Sequence, residues 1–299
     1  MKVVLATRRS KLALAQARAY VRQLIARNPG LEVEELHVVT SGDRIQDRSL
    51  QEIGGKGLFI KEIEEALLEG RADFAVHSIK DVPAELAPGL FLGAIPKRED
   101  PRDVLVTRGG GLDALPHGAR IGTSSMRRAL QLKMARPDLR TEPLRGNVDT
   151  RLRKLEEGAI DAIVLAYAGL RRLDLGARAD EVFEPEAMLP AVGQGALGIE
   201  CREDDARMQA LLATTDDVET RIAVEGERAF MRAVGGSCQL PVAAYCVLGA
   251  TELTVRGLLA DADGSNVRRG ERRAARPSDP LEARRVAAAL GDELGAALR

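Results

Sequence analysis

The sequence contains no tryptophan, and aromatic residues amount to 3%. A surface that stacks bases or sugar rings needs several exposed aromatic faces, so the composition argues against a reader of that kind. Three cysteines, Cys201, Cys238 and Cys246, cannot make a disulfide framework, and none stands in a Cys-x-x-Cys pair. With only three histidines, the donors for a structural zinc site are lacking, and no metal is expected. The net charge of −1 removes the general attraction to polyanions, so no nucleic-acid partner is expected. No apolar stretch approaches the roughly 20 residues that span a bilayer. Residues Met1 to Arg9 have no long apolar core behind their charges and read as a first strand rather than an export signal. The expectation is a cytoplasmic protein with no membrane partner.

What is present is an ordinary globular balance, 45% hydrophobic and 30% charged residues over 299 positions. That length lies near the upper limit of one hydrophobic core, so two or three domains are expected. Arg outnumbers Lys by roughly four to one, and Arg is the better fork for carboxylate and phosphate. A GC-rich genome would give the same excess, so the positions of the arginines must decide.

The first two-thirds alternate short apolar runs with amphipathic ones. Strands are expected at Lys2–Ala6, Val33–Thr40 and Asp73–His77, with helices at Lys11–Ala26 and Leu58–Leu68. A second series follows Pro101, with strands at Val104–Thr107, Ala119–Gly122, Leu139–Leu144 and Ala162–Ala166 and helices at Ser125–Ala135, Val148–Glu157 and Tyr167–Leu173. Proline-bearing segments at 96–101 and 185–190 bracket this block like hinges, and Ala196–Cys201 reads as a strand returning to the first series. After Asp216 the pattern changes to a helix at Val218–Ala233, strands at Val242–Leu248, Leu253–Leu259 and Val267–Ala274, and a closing helix at Leu281–Leu298. The fold class expected is α/β: two lobes with mostly parallel central sheets and a cleft between them, followed by a small α+β domain with an antiparallel sheet. The expected boundaries are 1–96 with 196–215 for domain 1, 101–190 for domain 2 and 217–299 for domain 3.

Ligands of open α/β sheets bind beyond the carboxyl ends of the strands. Polar residues gather at four such ends: Arg8 and Ser10; Ser78, Lys80 and Asp81; Thr123, Ser124, Ser125, Arg127 and Arg128; Arg145, Gly146 and Arg151. Helix N-termini there already favour anions, and the arginines add carboxylate forks. Read singly, each Arg is equally a solvated surface charge; four turns of one geometry favour an anion site. Lys80-Asp81 suits general acid–base work or the holding of a cationic intermediate, and equally an ion pair capping a turn. Gly54-Gly55-Lys56-Gly57-Leu58-Phe59 lacks the P-loop spacing and the Ser or Thr that would hold magnesium. It reads as a glycine-rich lid carrying Lys56 and Phe59, or as a plain helix-start turn. Cys238 falls in a loop between helix and strand, where a thiol is either reactive or incidental, whereas Cys201 and Cys246 lie within strands and are expected to be buried.

Taken together, seven segments resemble one family, the porphobilinogen deaminases or hydroxymethylbilane synthases. They are Ala6-Thr7-Arg8, Gly54 to Phe59, His77-Ser78-Ile79-Lys80-Asp81-Val82-Pro83, Gly122 to Arg128, Leu144-Arg145-Gly146-Asn147, Leu189-Pro190-Ala191-Val192-Gly193-Gln194-Gly195 and Gly236-Ser237-Cys238-Gln239-Leu240-Pro241. The resemblance runs through essentially the whole chain. It implies two lobes like those of periplasmic binding proteins and a third domain with a reactive cysteine. It implies an enzyme of porphyrin (heme) biosynthesis that joins four porphobilinogen molecules head to tail with loss of ammonia, on a covalently bound dipyrromethane cofactor, and releases the linear tetrapyrrole by hydrolysis. By that resemblance Cys238 is the attachment site and Asp81 the catalytic aspartate. Arg8, Ser10, Ser78, Lys80, Thr123, Ser124, Ser125, Arg127, Arg128, Arg145, Gly146, Arg151, Arg172 and Gln194 contact cofactor and substrate, with Lys56 and Phe59 on the mobile loop. A monomer is expected. Two departures stand out: Ser237 precedes the cysteine where many relatives have glycine, and Glu52 replaces a lysine that some relatives carry near the lid.

Porphobilinogen bears an acetate and a propionate, so each added unit brings two anions that need partners, and Arg forks supply them. Two rivals differ in what they require. A non-catalytic solute-binding protein needs an export signal and has no use for Cys238. An Arg-driven nucleic-acid binder needs net positive charge and aromatics.

Overall fold

The computed structural model describes residues 1–44, 60–236 and 240–299. They form two compact units, Met1–Arg98 with Ala196–Arg221, and Glu99–Gly195 with Ile222–Arg299.

The first unit is built on a five-stranded sheet. Its strands are β1 (Lys2–Arg8), β2 (Glu32–Val38), β3 (Phe74–Ser78), β4 (Leu90–Ala94) and β10 (Leu197–Arg202), in the order β2-β1-β3-β10-β4. β1 pairs in parallel with β2 and β3, whereas β10 pairs antiparallel with β3 and β4. Helix α1 (Lys11–Arg27) starts where Ser10 caps it, and it buries Gln16, Ala17, Tyr20 and Leu24, a single face at helical spacing. That face covers Val3, Leu5, Phe74 and Ile199. Tyr20 meets Phe74 edge to face with ring centroids 6.1 Å apart. Burying Phe74 fully contributes roughly 1.5–3 kcal/mol. The opposite sheet face packs Ala6, Ala75 and Leu90 against Ile63 and Leu67 of helix α2 (Lys61–Leu68). Near β1, β3 and β10 the expected and observed elements agree within two residues. β4 and helix α6 (Ala206–Ala213) carry no clear period and are additions.

The second unit holds a five-stranded sheet and a three-stranded one. The first comprises β5 (Asp103–Thr107), β6 (Arg120–Gly122), β7 (Arg140–Glu142), β8 (Ala162–Ala166) and β9 (Glu181–Val182), ordered β7-β6-β8-β5-β9. β6 is parallel to β7 and β8, while β5 is antiparallel to β8 and β9. Both large sheets are therefore mixed, and a helical crossover joins the parallel pairs β1–β2 and β6–β7. Helices α3 (Met126–Ala135), α4 (Val148–Glu156) and α5 (Tyr167–Arg172) supply those crossovers and cover. Apolar side chains fill both faces of the sheet, Leu105, Ile121 and Val164 on one and Val106, Ile163 and Leu165 on the other. This is why β5 and β8 read as continuous apolar runs rather than alternating ones.

The three-stranded sheet is antiparallel, β11 (Val242–Leu248), β12 (Glu252–Leu259) and β13 (Arg268–Ala275) in that order. Helices α7 (Val218–Ala233) and α8 (Pro280–Leu298) pack on it through Phe230, Leu290 and Leu294 against Val255 and Leu253. The two helices touch backbone to backbone at Gly226 and Gly291, where a Cβ on Gly291 would collide with the Gly226 carbonyl oxygen. Among the described residues no helix is long and apolar enough to cross a membrane.

Candidate functional site

In the first unit, β1 and β3 are neighbouring parallel strands, so the residues that follow them leave the same sheet edge. Five sequence-predicted residues lie there: Arg8, Ser10, Ser78, Lys80 and Asp81. Ser10 Oγ accepts the Ala13 N–H at 3.3 Å and caps α1. Ser78 Oγ donates to Oε1 of the buried Gln16 at 3.0 Å. β3 then passes into one 3₁₀ turn, Ile79–Asp81, closed by the Val82 N–H on the Ile79 carbonyl at 3.0 Å. Ile79 is buried and anchors the turn, Lys80 is half-buried and the Asp81 carboxylate is exposed. A strand end that turns at once into a 3₁₀ helix thus holds Asp81 at solvent on a rigid base.

In the second unit the strand-end turns after β6 and β7 are tied together, because Ser124 Oγ donates to the Leu144 carbonyl at 3.0 Å. Thr123 Oγ1 accepts the Ser125 N–H at 3.1 Å, and Ser125 Oγ accepts the Arg128 N–H at 3.4 Å as the cap of α3. Arg127 and Arg128 therefore sit in the first turn of α3 and point inward. Read from sequence they are forks for a ligand's carboxylates; in the structure the carboxylate they hold is the protein's own Asp103. Asp103 opens β5 and is fully buried. It accepts from Arg127 Nη1 at 2.6 Å, from Arg128 Nε at 3.0 Å and Nη2 at 2.7 Å, and from Gln194 Nε2 at 3.0 Å. Arg127 Nη1 also reaches the Leu189 carbonyl, Arg128 Nη1 the Val164 carbonyl and Gln194 Nε2 the Pro101 carbonyl. Burial alone would push the Asp103 carboxyl up; the charges and hydrogen bonds of Arg127 and Arg128 overcome it and hold the group well below the usual carboxylate range. Burial pulls the Arg128 guanidinium down, and Asp103 offsets part of that.

Two buried guanidiniums against one carboxylate leave a positive surplus, and more cations adjoin it. Arg151 on α4 donates from Nε to the Gly146 carbonyl at 2.9 Å and has no ion pair among the described residues. Burial, with the like charges of Arg128 and Arg145, pulls its guanidinium down to about 10. Burial likewise brings Arg172 down to about 10, with Glu99 opposing the shift. Arg172 Nη2 donates to the Gly195 carbonyl at 2.7 Å. Gly195 has φ +88°, and a Cβ there would strike the Glu99 carbonyl oxygen, so only glycine closes this turn. Arg127, Arg128 and Arg151 together carry more positive charge than Asp103 offsets, and desolvated cations in excess are chemically an anion site.

Thr123, Ser124, Ser125, Arg127, Arg128, Arg145, Gly146, Arg151, Arg172 and Gln194 thus all lie in the second unit, around the ends of β6, β7 and β8 and the segment at Gly195. Lys56, Phe59 and Cys238 lie outside the described residues. Cys201 and Cys246 are buried, and burial pushes the Cys201 thiol up to about 12. Sequence reasoning missed Asp103 and Gln131. Gln131 brackets Leu189 through its amide, accepting the N–H at 2.8 Å and donating to the carbonyl at 3.1 Å. The one signal for Asp103 was an acid heading the apolar run Val104–Val106.

Residues 3–210 match the family model described as porphobilinogen deaminase, dipyromethane cofactor binding domain, and residues 221–299 match porphobilinogen deaminase, C-terminal domain. The porphobilinogen deaminase of Sorangium cellulosum is 64% identical over 294 residues, 98% of each chain. That of Roseiflexus sp. is 52% identical over 293 residues, 98% of this chain and 95% of the relative. Among solved structures, the periplasmic VFT2 domain of Bordetella pertussis BvgS superposes on 72% of this chain and 86% of its own, with 16% identity and a TM-score of 0.41. On the two family models and the identity carried along nearly its whole length, the chain belongs to the porphobilinogen deaminase family.

Proposed function

We propose that the chain condenses four porphobilinogen molecules head to tail, releasing ammonia at each step, and frees the linear tetrapyrrole by hydrolysis. The observation that carries this reading is the cluster of buried guanidinium groups at Arg127, Arg128 and Arg151, which outnumber the one carboxylate of Asp103, in a chain of this family. Each substrate unit adds two carboxylates, and buried carboxylates need cationic partners. The cofactor the family model names, a dipyrromethane, carries the same acetate and propionate groups, so the donor set of the second unit fits it. Bound, it supplies the terminal pyrrole carbon to which the units are added. Cys238 is the residue we assign to its thioether link.

The chain's own residues do the rest. Arg145 and Arg151 bind side-chain carboxylates, while Arg127 and Arg128, anchored on Asp103, add to the positive field there. Asp81, exposed on its 3₁₀ turn, accepts the pyrrole N–H and offsets the positive charge that develops as ammonia leaves. Ser78 and Lys80 flank it and set the orientation of an anionic substrate. Arg8 and Ser10, at the same sheet edge, add a cation and a helix N-terminus. Lys56 and Phe59, outside the described residues, are assigned as further contacts to cofactor and substrate. The enzyme works as a monomer in the cytoplasm.

Intact mass tests the reading first. The purified protein is expected to weigh more than its sequence by a two-pyrrole adduct, and Cys238→Ser is expected at the bare mass. Limiting substrate should give a ladder of enzyme species carrying successive pyrroles. Bare-mass protein with full activity would overturn the covalent assignment. Asp81→Ala with its adduct intact is expected to lose turnover, and Asp81→Glu to keep traces of it.

A further inference from the structure

One buried hydrogen-bonded pair in the first unit takes no part in the reading above. His77 is the penultimate residue of β3, and Glu200 lies on the neighbouring strand β10. His77 Nε2 and Glu200 Oε2 stand 2.8 Å apart, with side chains 5% and 0% exposed. Strand alternation puts His77 on the face of Ala75, the one covered by α2. Glu64 of α2 faces the pair: burial pushes its carboxyl up, and the Glu200 charge adds to that. The second Glu200 oxygen, Oε1, is buried and has no hydrogen-bond partner among the described residues.

Such a pair is a poor device for stability. Taking a carboxylate and an imidazole out of water costs about as much as their hydrogen bond returns, and apolar residues of similar volume usually hold two strands as well or better. The orphan oxygen adds a further cost. Departures of this kind from good core design are expected where function requires them. The position of the pair supplies the requirement. The next residue is Ser78, held by Gln16 from the opposite face, and the one after is Ile79, whose N–H donates to the Ala196 carbonyl at 3.0 Å. Lys80 and Asp81 follow directly. Three consecutive residues therefore fix the strand end from three directions, and His77–Glu200 is the side-chain tie that joins β3 to β10.

We propose that His77 and Glu200 are positioning residues: their buried hydrogen bond fixes the end of β3 so that the turn Ile79–Asp81 presents Asp81 in one orientation. With Glu200 ionised, His77 Nε2–H donates to it, which locks the imidazole and through it the last peptide planes of the strand. The inference rests on the assignment of Asp81 made above.

The test separates folding from turnover. In the cofactor-loaded enzyme, with adduct content checked by intact mass, the double variant His77→Leu/Glu200→Leu replaces the pair by apolar bulk. It is expected to unfold at or above the parent's temperature, with KM within about threefold and kcat lowered about 10–100-fold, the loss a displacement of about 1 Å brings. Glu200→Gln keeps a hydrogen bond to the ring and is expected to turn over at least about tenfold faster than the double variant, on the same ground. Parental kcat in the double variant overturns the inference, as does a Gln variant no faster than the double one. A double variant that cannot fold also overturns it, because the pair then serves the fold. Asp81→Ala is measured alongside. If it turns over normally, the assignment of Asp81 fails; if it is inactive while the double variant is normal, only the present inference fails.

Discussion

Replacing Asp103 by Asn is expected to cost the second unit much of its stability, with a pH signature that identifies the cause. The wild-type carboxylate is fully buried and accepts four N–H groups from Arg127, Arg128 and Gln194. Asparagine keeps the shape, but one of its two polar positions becomes an NH₂ that faces guanidinium donors. The charge is gone as well, which leaves two desolvated cations without their counter-ion. Breaking a buried pair from one side costs about 3–5 kcal/mol. At about 2–4 °C per kcal/mol, this is a fall in Tm of roughly 6–20 °C at pH 7. The sign with pH follows from linkage. The folded state holds Asp103 below the ordinary carboxylate range, so its contribution is full above the unfolded value of about 4 and is lost as the pH falls from there through the folded value. Other acids titrate alike in both proteins, so the difference between their melting curves isolates Asp103. Thermal unfolding of wild type and Asp103→Asn from pH 8 to pH 3 should show a constant gap down to about pH 4 and a closing gap below it. A variant within about 1 °C of wild type at pH 7, or a gap that stays constant to pH 3, would refute the reasoning.

Arg151→Gln removes a cation crowded by Arg128 and Arg145. Its Tm is expected to match or exceed wild type, while KM for porphobilinogen rises about tenfold or more through the lost charge-assisted bonds, as steady-state kinetics would read. Gly195→Ala places a methyl against the Glu99 carbonyl oxygen at φ +88°, so a loss of more than about 1 kcal/mol is expected in denaturant unfolding. Cys201 is held to about 12 by burial, and Cys246 is also buried. The native, cofactor-loaded enzyme is therefore expected to show no fast-reacting thiol at pH 8, and cofactor-free protein to show one, at Cys238. A fast thiol in loaded protein would contradict the thioether assignment.

The elements were legible where burial leaves a period. Helix α7 and strands β8 and β11 stand in the structure at their expected bounds, because each is a run whose apolar positions face one core or are buried on both sides. The two-residue β9 and the glycine-containing β4 carry too few apolar positions to register a period, and the helix at Ala206–Ala213 begins at an Asp205 cap that resembles an ordinary turn. The candidate site divides on a different line. Strand-end turns were legible because Ser10 and Ser125 are caps, and a cap is a local signal.

Counter-ions were not legible. Arg127, Arg128 and Arg151 are one residue type on adjoining strand-end turns, and nothing local distinguishes them. What distinguishes them is Asp103, more than twenty residues upstream on another strand: it binds the first two and leaves the third among like charges. His77 and Glu200, 123 positions apart, repeat the case. Each looks like an ordinary strand residue until the antiparallel pairing of β3 with β10 puts them in contact. A side chain's type is local, but its charge partner is set by sheet order. The chemistry of an arginine-rich site can therefore be named from sequence, while the division of labour among its arginines waits for the fold.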